Sequence, residues 1–179
     1  SAASLARWDG AAWSALGAGP GLAIWAVGQL PAGDLLVGCN AGYEPNNRAL
    51  LRWDNTDWVP LGAGIDREVR ALTTLPDGCV IAGGAFVQAG AVAARHIARW
   101  DGAVWSTLDT GVNGTVRALV TVPCGDVVAG GDFDTAGGVA ASYVATWDGT
   151  VWSPMGTGMN APVHALLALP NGDVIAAGE

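Results

Sequence analysis

Trp8-Asp9-Gly10-Ala11-Ala12-Trp13 returns as Trp53-Asp54-Asn55-Thr56-Asp57-Trp58, Trp100-Asp101-Gly102-Ala103-Val104-Trp105 and Trp147-Asp148-Gly149-Thr150-Val151-Trp152, at spacings of 45, 47 and 47 residues. Eight of the nine tryptophans lie in these phrases, so they belong to a repeat and not to one special site. A period of this length marks a stacked or radial array of supersecondary units.

Working outward from the second tryptophan, the register is strict. A glycine follows after six residues (Gly19, Gly64, Gly111, Gly158), a β-branched residue after 11 (Ile24, Val69, Val116, Val163), and a proline after 18 (Pro31, Pro76, Pro123, Pro170). Each proline precedes a two-residue turn ending in glycine, at Gly33, Gly78, Gly125 and Gly172. Tight turns with glycine where φ must be positive join the strands of hairpins. The flanking runs, such as Val116 to Val122 and Asp126 to Ala129, are strand-like. They form a first hairpin, strands A and B. The tryptophan phrase forms a second, strands C and D, around Asp-Gly; Asn55 replaces the glycine in repeat 2 and also tolerates left-handed geometry. All length variation falls in the B–C connection, where repeat 1 carries Tyr43 to Asn47 and repeats 2 and 3 carry Phe86 and Phe133.

Four short antiparallel strands per period describe a propeller blade. The reading is an all-β β-propeller of four-stranded antiparallel blades, four repeats per chain, in one domain over 1–179. Blade 1 spans 20–64, blade 2 65–111 and blade 3 112–158. Blade 4 combines 159–179 with 1–19, because the N-terminal strands C and D complete the C-terminal strands A and B. Closure within one chain gives four blades; exchange between two chains gives a homodimeric ring of eight; a third reading is a piece of a longer array. Trp25, Arg70, Arg117 and His164 are equivalent positions on the innermost strand and would crowd a four-bladed centre, which favours the larger ring.

Composition narrows the function. No apolar run approaches the ~18 residues of a spanning helix. The net charge is −8, and all eight cations are arginines without a basic stripe, which disfavours nucleic acid and anionic membranes. Cys39, Cys79 and Cys124 occupy three different repeat positions, so free thiols are expected. The absence of a signal peptide and a start inside a repeat suggest a processed or excised segment.

The phrase Ile/Leu-Ala-Arg-Trp-Asp-Gly-x-x-Trp, continued by Asp-Val-x-Ala-Gly-Gly-x-Phe-x-x-Ala-Gly and clearest over 97–158, resembles β-propeller repeats of large secreted bacterial proteins. It is also similar to repeats of fungal cell-surface cortical-marker proteins. The resemblance covers the whole chain and implies the fold and an extracellular or cell-surface location, not a chemistry. Repeat 1 departs from it most.

Candidate site residues are therefore weighed against structural roles. Asp9, Asp54, Asp101 and Asp148 are read as turn caps, each bonding nearby backbone N–H groups; the alternative is one ligand site per blade. The paired tryptophans are read as filling between blades, at least one of each pair buried. Asp132 and Asp134 faintly resemble a calcium loop but lack the bidentate acid such a loop needs. His96 and His164 belong to no nucleophile or metal motif. The expectation is a non-enzymatic scaffold or recognition module without cofactor or metal, taking a protein or glycan ligand, with Trp25, Arg70, Arg117, His164, Tyr43, Asp132 and Asp134 as ligand-binding candidates. The alternatives are a multivalent lectin with sites between blades, and an enzyme or ligand site at the central channel.

Overall fold

A computed structural model describes residues 5–40 and 48–179; Tyr43 lies outside them. Every regular element among the described residues is a β-strand. Among the described residues no helix is long and apolar enough to cross a membrane.

The chain begins with a hairpin, β1 (Ala6–Trp8) and β2 (Trp13–Ala15). Sheet I contains β3 (Ala23–Gln29), β4 (Leu35–Asn40), β5 (Leu50–Trp53) and β6 (Trp58–Pro60). Sheet II contains β7 (Val69–Thr74), β8 (Val80–Gly84), β11 (Ile97–Trp100) and β12 (Trp105–Thr107), with the small hairpin β9 (Gln88–Ala89) and β10 (Val92–Ala93) inserted. Sheet III repeats this plan with β13 (Val116–Thr121), β14 (Val127–Gly131), β17 (Val144–Trp147) and β18 (Trp152–Pro154), and the inserted hairpin β15 (Thr135–Ala136) and β16 (Val139–Ala140). A final hairpin, β19 (Val163–Ala168) and β20 (Val174–Gly178), follows. Within each four-stranded sheet the strands pair antiparallel in chain order.

The turn chemistry explains the strand boundaries. Gly102 and Gly149 adopt φ near 100°, and Asn55 takes φ 76° at the equivalent place. The first strands of successive sheets pack side by side, β3 on β7, β7 on β13 and β13 on β19. Hydroxyls tie them laterally: Thr73 Oγ1 lies 2.8 Å from Thr121 Oγ1, and Thr74 Oγ1 donates to the Gln29 carbonyl at 3.1 Å.

Between sheets the backbone itself is the contact surface. A Cβ added at Gly83 would stand 2.5 Å from Val116 Cγ1, and one at Gly130 would stand 2.5 Å from Val163 Cγ1. Gly38 meets Val69 in the same way. The absent side chain lets the second strand of one sheet lie against the first strand of the next. The resulting core is apolar, with Phe86, Phe133, Leu50, Ile65, Ile81 and Ile97 fully buried.

The tryptophan pairs stack at centroid distances of 5.2–5.5 Å and tilts of 46–52°. Trp58, Trp100, Trp105, Trp147 and Trp152 are buried. Trp105 Nε1 donates across the seam to the Leu61 carbonyl, and Trp152 Nε1 to that of Leu108. The pair Trp8 and Trp13 departs from the expectation that one ring of each pair is buried: both are exposed, at 50% and 70%. They lie on a two-stranded hairpin with a neighbouring sheet on one side only.

Pairing of the N-terminal strands with the C-terminal strands is not seen within one chain. Among the described residues β1 is hydrogen-bonded only to β2, and β20 only to β19. The described parts of 159–179 and 1–19 form two separate hairpins, with β19 packed on β13. Cys39, Cys79 and Cys124 are free thiols.

Gly83→Ala should destabilise the fold by about 1–3 kcal/mol through overpacking. At this chain length that lowers the melting temperature by roughly 2–12 °C. A calorimetric scan showing an unchanged melt would remove the seam argument.

Candidate functional site

The strands β3, β7, β13 and β19 are each irregular at one place. Their register against the strand that follows shifts between Ile24 and Ala26, Val69 and Ala71, Val116 and Ala118, and Val163 and Ala165. The extra residues are Trp25, Arg70, Arg117 and His164. A β-bulge releases its extra residue from the regular alternation and re-aims the side chain. The four candidates are therefore singled out by backbone geometry as well as by repeat position.

Their side chains meet charged or aromatic partners at this rim. Arg117 Nε donates to Asp132 Oδ1 at 2.6 Å, with both groups about one-third exposed. His164 Nε2 stands 3.6 Å from Glu179 Oε1. Asp132 and Glu179 are repeat equivalents, each 27 residues beyond the second tryptophan. Repeat 2 has Ala85 there, and Arg70 pairs instead with Glu68 at 2.5 Å. The Arg70 guanidinium also lies 4.6 Å from the centroid of Trp25, which is 49% exposed; this is cation–π geometry. Repeat 1 thus supplies an aromatic face where the others supply arginine or histidine. The bond from Asp132 favours the charged guanidinium of Arg117 and holds its pKa above the ordinary value, and the carboxylates of Glu179 and Glu68 add to this. The sequence reading did not single out Glu68 and Glu179. The repeat equivalence of Glu179 with Asp132 was the available signal for one, and the acid two residues before Arg70 for the other.

Asp132 and Asp134 do not share a ligand. Asp132 faces Arg117, whereas Asp134 Oδ1 accepts from Asn113 Nδ2 at 2.7 Å and from Thr135 Oγ1 at 2.9 Å. Asn113 Oδ1 in turn accepts from the backbone N–H groups of Asp134 and Thr135. Asp66 does the equivalent in sheet II, accepting from Val87 and Gln88. With buried Phe86 and Phe133, these clasps fix the inserted hairpins as structural elements. Among the described residues no three His, Cys, Asp or Glu side chains are grouped to hold a metal ion.

The aspartates of the tryptophan phrases cap their own turns. Oδ1 of Asp9, Asp54, Asp101 and Asp148 accepts the N–H groups two and three residues on, at 2.8–2.9 Å. The Thr56 hydroxyl joins in and lowers Asp54 furthest, to about 2. Asp101 and Asp148 are lowered chiefly by the backbone N–H groups of Val104 and Val151.

Two equivalent grooves open between sheets. One, of about 470 Å³, lies between sheets I and II, bordered by Pro31, Arg52, Trp100 and Asp101. The other, of about 440 Å³, lies between sheets II and III, bordered by Pro76, Arg99, Trp147 and Asp148. Their arginines are engaged, Arg52 with Asp34 at 3.0 Å and Arg99 with Asp77 at 2.8 Å. Trp100 and Trp147 offer no open face, since both are buried.

No protein-family model matches the chain, and no curated protein matches it. Among solved structures it is similar to two crystal structures of an extracellular domain, BT4673 from B. thetaiotaomicron. One is described as part of a hybrid two-component system: TM-score 0.59, 14% identity, 89% of this chain and 21% of that one. The other is described as part of a one-component system: TM-score 0.57, 13% identity, 86% and 20%. The chain spans about a fifth of their length, and the likeness is one of fold.

The turn caps set an acid limit. Carboxylates held below their ordinary value of 3.8 in the folded chain contribute stability above that value and lose it as pH falls towards about 2. Asp54→Ala should lower the melting temperature at pH 7 and make little difference near pH 2. Equal losses at both pH values would refute the cap role.

Proposed function

We propose that this chain is a non-catalytic, extracellular β-propeller recognition module of the secreted repeat class it resembles, with its ligand-facing surface at the bulged rim. The observation that carries the reading is the coincidence of four β-bulges with Trp25, Arg70, Arg117 and His164. A scaffold repeated for stability alone has no need to break its ladder at the same place in all four repeats, and bulges commonly serve to re-aim side chains at sites. The extracellular origin of the structural neighbours supports the location.

The rim suits a polar ligand with an apolar face. Trp25 offers a half-open ring, and Arg70, Arg117 and His164 offer donors beside the acceptors Glu68, Asp132 and Glu179. That combination fits a saccharide or a polar segment of a surface protein. The grooves between sheets support a second reading, a lectin with sites at the seams. Their tryptophan faces are covered, however, and binding there depends on the groove polar groups.

Glycan and surface-protein arrays probed with the parent chain, Trp25→Ala and Arg117→Ala separate these readings. The rim reading expects each variant to weaken any captured ligand about tenfold or more, equivalent to ~1.4 kcal/mol or more. Binding that survives both changes but is lost in Asp101→Ala and Asp148→Ala assigns the ligand to the seams instead.

A further inference from the structure

Repeats 2 and 3 hold the residue after their second strand at the same point. The Ala85 N–H donates to the Glu68 carbonyl at 3.0 Å, and the Asp132 N–H to the Thr115 carbonyl at 2.9 Å. Ala85 and Asp132 are repeat equivalents, as are Glu68 and Thr115, and the bulge residues Arg70 and Arg117. In repeat 3 the Asp132 carboxylate takes the Nε hydrogen of Arg117 at 2.6 Å. In repeat 2 a methyl group stands where that carboxylate originates, and Arg70 Nε is buried with no hydrogen-bond partner in the protein.

Glu68 does not do what Asp132 does. Its Oε2 lies 2.5 Å from Arg70 Nη2, which offsets the charge, yet that oxygen too is buried without a hydrogen bond from the protein. One ion pair therefore leaves one donor and one acceptor unmet. Buried polar atoms are costly in that condition, so each calls for an explanation, such as a group that comes from outside the chain.

We infer that this place binds a neutral saccharide through one of its hydroxyl groups, with Trp25 as the platform for the sugar's apolar face. The inference rests on the rim reading and names its ligand class. A hydroxyl matches both unmet atoms at once, since it accepts from Arg70 Nε and donates to Glu68 Oε2. A carboxylate answers only the first and meets the charge of Glu68. The rim's charges are already matched, Arg70 by Glu68 and Arg117 by Asp132, so a ligand anion finds no uncompensated cation.

Trp25 favours a sugar over a peptide. Its ring is 49% exposed and stands beside the pair, with the Arg70 guanidinium 4.6 Å from its centroid. A pyranose joins an apolar face to a fringe of hydroxyls and so spans the ring and the ion pair together. A trans peptide unit carries its donor and acceptor on separate atoms that point opposite ways. The two unmet atoms are covered as the side chains lie, and entry of the hydroxyl requires Arg70 and Glu68 to turn outward. Their side chains, 22% and 28% exposed, are placed to do so. Repeat 3 is closed to the same ligand, because Asp132 already holds Arg117 Nε.

Titration followed through the tryptophan indole N–H signals in NMR tests this. The neutral probes are methyl glycosides of glucose, galactose, mannose, xylose and N-acetylglucosamine; the charged ones are glucuronic and galacturonic acids. At least one neutral glycoside should bind in the millimolar range and shift the signal that Trp25→Ala removes. The acids should bind about tenfold more weakly or worse, since they approach Glu68. Ala85→Asp supplies the acid that repeat 3 has, occupies Arg70 Nε, and should weaken neutral binding about tenfold or more with little change in the melt. Glu68→Gln removes the charge and should narrow the discrimination against the acids. No shift with any neutral glycoside overturns the inference, as does a parent chain that prefers the acids or neutral binding indifferent to Ala85→Asp. A surface protein captured through Trp25 without any glycoside shift assigns the place to protein instead. In each of these cases the rim reading stands if captured ligands still depend on Trp25 and Arg117, and falls with the inference if they do not.

Discussion

The fold rests on a contact made by a missing atom. At Gly38, Gly83 and Gly130 the second strand of one sheet lies so close to the β-branched residue opening the next that a methyl group would overlap its γ-carbon. That distance sets the spacing between sheets. It brings Trp105 and Trp152 within reach of carbonyls across the seam, and it allows neighbouring first strands to exchange threonine hydrogen bonds. Because each sheet touches only its neighbours in the array, stability builds up seam by seam, as in other repeat architectures.

Strands and turns were legible because their causes are local. Asp-Gly at the tryptophan phrase and a glycine two residues past each proline demand particular backbone angles, and those demands are visible in any one repeat. The aspartate caps were legible for the same reason. What escaped were features that depend on a neighbour. Trp8 and Trp13 carry the same phrase as Trp100 and Trp105, yet are exposed because a sheet lies on one side only. Asp132 and Asp134 looked like a pair in sequence, but strand alternation and the Asn113 clasp send them to different partners.

The bulges lie between these cases. Val116-Arg117-Ala118-Leu119 breaks the two-residue alternation of a strand, with both Ala118 and Leu119 buried after Arg117. The same Val-x-Ala-Leu order, with the same register shift, occurs at Val69 to Leu72 and at Val163 to Leu166. The cue was present, but reading it as a bulge requires the facing strand, where one residue opposes two. The same holds for Glu68, whose role follows from Ala85 leaving Arg70 without an acid at the usual place.

The bulge also divides the labour between the parts of a repeat. Residues locked into the ladder and the seams are held to narrow choices of size, which is why Ile24, Val69, Val116 and Val163 are all β-branched and Gly38, Gly83, Gly130 and Ala177 are all small. The residue displaced at each bulge carries no such obligation. It is tryptophan, arginine, arginine and histidine in turn, across four otherwise similar frameworks. Duplication of such a unit therefore copies a stable body together with one position free to diverge, and an array acquires a mosaic surface without renegotiating its core.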